Sequence, residues 1–211
     1  PFLGSFTEMF SFDRSFVMPI LRKIAPLIFN ETLFGFGSTL FVKAFGVLGT
    51  QAMDAYYVGN QISNVFLFVV YGYGNAISVL LGGILGQGKI EEARREGDYY
   101  CGLSAILAVV LVTAMIVFAG PMVSIFQLQD PVIGYAEALV MVFAVKISMR
   151  LFNFMIFSVL RSGGDSKIIS VLDSGIMWVI GIPLAFICVH LFKMQDIALV
   201  FLVVQLEQLV R

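Results

Sequence analysis

Apolar residues fill six long runs, 20–47, 52–85, 99–125, 132–160, 168–192 and 197–211, each separated from the next by only a few polar positions. A helix needs roughly 20 consecutive apolar residues to cross the hydrocarbon core of a bilayer. All but the sixth run exceed that length, so the pattern predicts an all-α fold: a polytopic transmembrane bundle of six spans, the last one incomplete. If the runs alternate across the membrane, Arg14, Arg22, Lys23, Lys89, Arg94, Arg95, Arg161, Lys167 and Arg211 fall on one face, and only Lys193 falls in a loop on the other. An excess of Lys and Arg marks the cytoplasmic side. Lys43, Lys146 and Arg150 are left inside apolar runs.

Composition agrees with this picture. Hydrophobic residues make up 59% of the chain and charged residues 13%, where a soluble domain carries about 25% charged residues. Mean hydropathy is +0.95. A net charge of −1 spread over the chain gives no concentrated basic surface for nucleic acid. Cys101, Cys188 and the single histidine, His190, stand at no metal-ligand spacing, so neither a metal nor a cofactor is expected. The chain opens on Pro1, and its last apolar run is still in progress at Arg211. It therefore reads as part of something longer, with 1–17 a cytoplasmic or interfacial connector and 18–211 a six-helix lobe.

Polar side chains inside spans are costly unless partners or water meet them, so their placement is informative. Asn60, Asn64, Tyr71 and Asn75 in the second run follow spacings of four, seven and four, which confines them to a stripe about 60° wide on a helix. In the fourth run Lys146, Arg150 and Asn153 are likewise on one face. These two stripes predict a polar cavity, and two stacked cations call for a counter-charge. Asn30 and Glu31 lie inside the first run, five residues or fewer beyond Pro26, a residue that removes a backbone hydrogen bond and bends a helix or marks its first turn. Glu31 is the expected partner of Lys146 or Arg150, while Asp173 in the fifth run stands alone. The expected cavity lining is Asn30, Glu31, Asn60, Asn64, Asn75, Lys146, Arg150 and Asn153. The Gly82-x-x-x-Gly86 spacing predicts close helix packing.

The loops add a more specific signal. One cytoplasmic turn reads Gly86-Gln87-Gly88-Lys89, followed by a charged segment expected to be helical. Another reads Leu160-Arg161-Ser162-Gly163-Gly164-Asp165; its paired glycines permit a tight reversal and Asp165 can cap the next helix. With Pro26-x-x-x-Asn30-Glu31, Leu48-Gly49-Thr50 and the segment from Trp178 to Pro183, these motifs resemble the second half of a multidrug and toxic compound extrusion (MATE) transporter, from about Phe12 to Arg211. The resemblance implies helices seven to twelve of a twelve-helix, two-lobe protein with a central cleft. It also implies a multi-pass protein of the bacterial or archaeal plasma membrane, an antiporter exporting cationic or aromatic compounds in exchange for protons or sodium. Its partners are then small-molecule substrates, the bilayer and an N-terminal lobe. A related lipid-precursor or polysaccharide exporter is the alternative, because Lys146 and Arg150 suit an anionic phosphate. A membrane-embedded enzyme finds no support, since no dyad or paired aspartates are present.

The sodium-coupled members carry a pair of acidic residues on the seventh and tenth helices. The corresponding positions here are near Phe34 and at Arg150. A guanidinium repels sodium, so the resemblance favours protons, with the coupling residue in the other lobe.

The charge pattern makes a topological prediction. In a Cys101→Ser background, a cysteine placed at Gln195 is labelled by a membrane-impermeant maleimide from outside intact cells, whereas one placed at Gly88 is labelled only after permeabilisation. The opposite result reverses the orientation.

Overall fold

The computed structural model describes residues 14–164, 168, 169 and 171–211, and within them every regular element is helical. Four long helices come first: α1 (Arg14–Gly46), α2 (Thr50–Gly86), α3 (Ile90–Ser124) and α4 (Asp130–Ser162). The fifth span, α5 (Val171–Leu191), and a shorter apolar helix, α6 (Ile197–Val210), complete the bundle. α1 to α5 are each long and apolar enough to cross a membrane. Two boundaries move outward from the apolar runs. α1 already begins at Arg14, so the last residues of the expected connector form its first turns. α3 starts at Ile90 and takes in the charged segment before Tyr99; there Glu91 and Glu92 sit in its first turn, where the helix dipole favours anions. Asp165, expected to cap the fifth span, lies outside the described residues, as do residues 1–13.

Each reversal of the chain turns on one residue with positive φ: Gly49 at 99°, Gly88 at 77°, Gln127 at 49°, Gly164 at 84° and Lys193 at 49°. Of the paired glycines after α4, only Gly164 needs the freedom that a missing Cβ gives. Gly163 is in the ordinary helical region, at φ −75°. The turn before α6 ends on Asp196, whose Oδ1 accepts from the backbone N–H groups of Ala198 (2.8 Å) and Leu199 (3.3 Å), capping two otherwise orphaned donors.

α1 runs unbroken through Pro19 and Pro26. α5 is less regular. Over Val171–Gly175, Met177–Gly181 and Ile187–Leu191 its backbone bonds widen to i→i+5, with an α-helical turn at Ile182–Phe186 between them. Wide turns of this kind are rare outside functional segments. Pro183, which has no N–H to offer, lies in the α-helical turn.

α4 forms the centre, packed along α2 on one side and α3 on the other, with α6 also against it. The core contains many small and branched side chains, among them Ala55, Val70, Ala136, Leu139 and Ile147, all essentially inaccessible. Its outward faces are apolar as well: Phe68 is 73% exposed and Val79 74%. That is the reverse of a soluble domain, and it is what a lipid-facing surface requires. Phe45, Tyr56, Phe143 and Phe201 make an aromatic cluster, the Phe143 and Phe201 rings 4.6 Å apart and Tyr56 5.5 Å from Phe201.

Close helix contact occurs at glycines other than those expected. Gly82 and Gly86 have open space where a Cβ would be, so their spacing serves no packing within the described lobe. They lie near the C-terminal end of α2, on a face turned away from the Leu81, Ala93 and Met155 cluster. At Gly74 a Cβ would run into the Phe154 ring and come within 2.8 Å of Ser158 Oγ. Gly74→Ala is therefore expected to lower stability by about 1–3 kcal/mol through overpacking. Gly82→Ala should be neutral or gain up to about 1 kcal/mol of helix propensity. Thermal unfolding in detergent, compared with the parent chain, distinguishes the two.

Candidate functional site

A cavity of about 440 Å³ opens among α1, α2, α4, α5 and α6. α2 contributes Asn60, Asn64 and Tyr71, so three of the four residues in its predicted stripe do share the cavity wall. Asn75, the fourth, is exposed and does not line it; it lies beyond the cavity toward the C-terminal end of α2. α4 contributes Lys146 and Arg150. Asn153, one turn further along the same face, is buried and donates to Gln208 through Nδ2, at 3.0 Å from the backbone O and 3.3 Å from Oε1. It ties α4 to α6 rather than facing the open space.

Lys146 lies at the midpoint of α4, which runs from 130 to 162. Its ammonium sits 5.1 Å from the centroid of the Phe143 ring and 5.5 Å from that of Phe201. Aromatic faces attract a cation at such distances without neutralising it. Among the described residues no carboxylate comes within ion-pair distance of it.

Arg150 is held differently. Its Nη1 donates to Asp173 Oδ1 at 3.1 Å, and the same oxygen accepts from Arg211 Nη1 at 2.5 Å. Arg211 Nη2 in turn donates to Glu207 Oε1 at 2.8 Å, which also accepts from Gln208 Nε2 at 3.1 Å. The result is a buried chain of alternating charge from α4 through α5 to α6. It is incompletely satisfied: Glu207 Oε2 and Arg211 Nε are buried without a hydrogen-bond partner among the described residues. Glu207 packs against Gly181, where a Cβ would collide with its carboxylate.

These contacts correct three expectations. The counter-charge of Arg150 is Asp173, which is not alone in its span, and it is not Glu31. Asn30 and Glu31 are consecutive and so point about 100° apart. Asn30 is buried, with its side-chain oxygen and its backbone O (3.0 Å) both beside Ser174 Oγ, so it holds α1 to α5. Glu31 consequently turns outward and is exposed; neither residue lines the cavity. Arg211, counted among cytoplasmic surface cations, has a side chain only 1% exposed and belongs to the buried network. Phe34 and Arg150, the positions matched to the expected acidic pair, do come together, since Arg150 Cζ lies 5.3 Å from the centroid of the Phe34 ring. They meet as a cation over an aromatic face.

Glu207, Gln208 and Arg211 were not singled out by sequence reasoning, although Glu207 and Arg211 stand at the i,i+4 spacing of a helical ion pair. Removing one member of a buried pair costs about 3–5 kcal/mol, because the partner charge is left unpaired. Asp173→Asn should therefore destabilise the chain by roughly that amount, since it strands two guanidinium groups. Glu31→Gln should leave stability unchanged. Unfolding midpoints in detergent decide this; equal midpoints for Asp173→Asn and the parent would show that the network contributes nothing net.

Comparison with known proteins places this arrangement. The MatE family matches residues 26–187. A probable multidrug resistance protein NorM of Haemophilus ducreyi is 26% identical over 187 residues, covering 83% of this chain and 40% of that protein. The human multidrug and toxin extrusion protein 1 is 23% identical over 139 residues, which cover 66% of this chain and 24% of that protein. The chain thus spans about 40% of the length of the bacterial relative. Among solved structures, a MATE protein in the straight conformation superposes with a TM-score of 0.82 at 15% identity, covering 95% of this chain and 45% of that one. A MOP superfamily transporter from Pyrococcus furiosus, described as having a binding pocket of reverse polarity, gives 0.82 at 16% identity, covering 90% and 42%. The fold is that of one lobe of a MATE-like transporter, and with more than half of its residues matched the chain belongs to the MatE family.

Proposed function

We propose that this chain is the C-terminal lobe of a secondary active antiporter of the plasma membrane that exports aromatic, amphipathic small molecules by alternating access, with its cavity forming one wall of the substrate cleft. The observation that carries this reading is the cavity itself. It is a space of about 440 Å³ inside a helical bundle, its walls mainly apolar and edged by Phe34, Phe45, Tyr56 and Phe201, with Asn60, Asn64, Lys146 and Arg150 set among them, and a site of that size with aromatic walls and a few placed polar groups suits small organic molecules. The N-terminal lobe of the same transporter supplies the opposite wall, as the two-lobe architecture of transporters with internal repeats requires. No covalent step is involved.

Protons are the favoured coupling ion. Sodium binding needs several uncommitted oxygens, and no cluster of three or more acidic, histidine or cysteine side chains exists among the described residues. Asp173 and Glu207 are already committed to guanidinium groups. The cationic substrates expected from the family resemblance have to find their counter-charge on the other lobe. A lipid-precursor exporter is a second reading, favoured by the ammonium of Lys146 free of a carboxylate partner.

Two measurements test the proposal. In vesicles containing this lobe joined to its N-terminal partner, efflux of fluorescent aromatic dyes should collapse when a protonophore removes the pH gradient. A sodium gradient alone should not restore it; restoration by sodium would reverse the assignment of the ion. Sodium should also leave the melting temperature of the chain unchanged, since a ligand bound a hundredfold above its Kd adds about 2.7 kcal/mol and shifts the midpoint visibly.

A further inference from the structure

The charge in the cavity does not cancel. Three cations border it, Lys146, Arg150 and Arg211, against two carboxylates, Asp173 of the same network and Glu207. The guanidinium groups and the carboxylates are engaged with one another, which leaves the Lys146 ammonium as the uncommitted charge. It stands at the midpoint of α4, half-buried on the cavity wall. An ammonium without a carboxylate partner inside a membrane span is costly, and the contacts it makes with Phe143 and Phe201 offset only part of that cost. Across the cavity, α2 presents Asn60 and Asn64, whose side chains make no hydrogen bond among the described residues and whose amides can donate. An ammonium and two amide donors around one space form an acceptor-seeking set, and the flanking rings provide flat apolar walls.

We propose that the cavity binds an organic anion, a carboxylate or phosphate head carried on an aromatic or apolar body, with the head on Lys146 Nζ, Asn60 and Asn64 and the body against Phe45, Tyr56 and Phe201. This rests on reading the cavity as the lobe's share of the substrate cleft, and it assigns that cleft a substrate sign opposite to the one expected from the family resemblance. Arg150 and Arg211 do not contact the head; held by Asp173, they supply a positive field behind it. A charge-assisted hydrogen bond to a positioned ammonium is strong and directional. The preference for anions therefore resides in one side chain.

The test uses the purified chain in nanodiscs of zwitterionic lipid and two probes with the same ring system, 1-naphthoate and 1-naphthylmethylammonium, measured by equilibrium dialysis. Naphthoate should bind saturably, at least about tenfold more tightly than the cation, a difference of about 1.4 kcal/mol. Lys146→Gln should abolish that preference, Lys146→Arg should retain most of it, and Asn64→Leu should weaken naphthoate alone. Unfolding midpoints of the variants identify any loss due to misfolding, in which case Asn64→Leu and Lys146→Arg carry the test. A second arm adds phosphatidic acid to the nanodiscs. Displacement of naphthoate makes the anion a lipid headgroup, while unaffected binding makes it a free solute; both sustain an anion site. Equal or tighter binding of the cation, or an unchanged preference in Lys146→Gln, overturns the proposal. Binding without efflux by the complete transporter overturns the transport reading and leaves the anion site standing, so the two fail separately.

Discussion

Asp173 is the side chain around which the lower half of this lobe is organised. One carboxylate oxygen receives guanidinium donors from α4 and from the end of α6, and without it two positive charges would face each other in a medium of low dielectric. Everything else about the cavity follows from that neutralisation. Because Arg150 is satisfied, it can remain within a membrane span. Because Arg211 is paired with two carboxylates, α6 can bring its charge into the bundle. The aromatic cluster closes the space from the opposite side, between the α1–α2 and α5–α6 turns, and Lys146 is left between the two.

A buried network of this kind is weak evidence for stability, since desolvating each ion costs several kcal/mol that the attraction barely repays. Its value is geometric. α4, α5 and α6 are fixed in mutual rotation by these shared ion pairs, whereas apolar side chains in lipid exert little rotational preference. Asn153 to Gln208 and Asn30 to Ser174 do the same for α4–α6 and α1–α5. Polar contacts set the angular register of the bundle and apolar packing fills the space between.

The long apolar helices and most of their limits were legible in the chain because the bilayer imposes a length on whatever crosses it. The α2 and α4 stripes were legible for the same reason, since a helix has one period. What the sequence leaves open is how each helix is turned against its neighbours. Glu31 and Asp173 look equivalent as intramembrane carboxylates, and only the position of Asn30, turned inward against Ser174, sends Glu31 out. Asp173 meets a residue 23 positions earlier and another 38 positions later, pairings that no local pattern contains. Gly82 and Gly86 show the same limit in packing: small residues permit an approach, but a neighbour has to be present for one to occur.

The turns between helices have a mechanical consequence. α1 to α2 and α2 to α3 are each joined by three residues, with one left-handed residue already fixed in each. Such short tethers leave almost no hinge travel at the two turns, so the helix ends they join stay side by side. α5 is the described span whose backbone departs from the regular α-helical ladder, so a change of pitch within a span is least costly there.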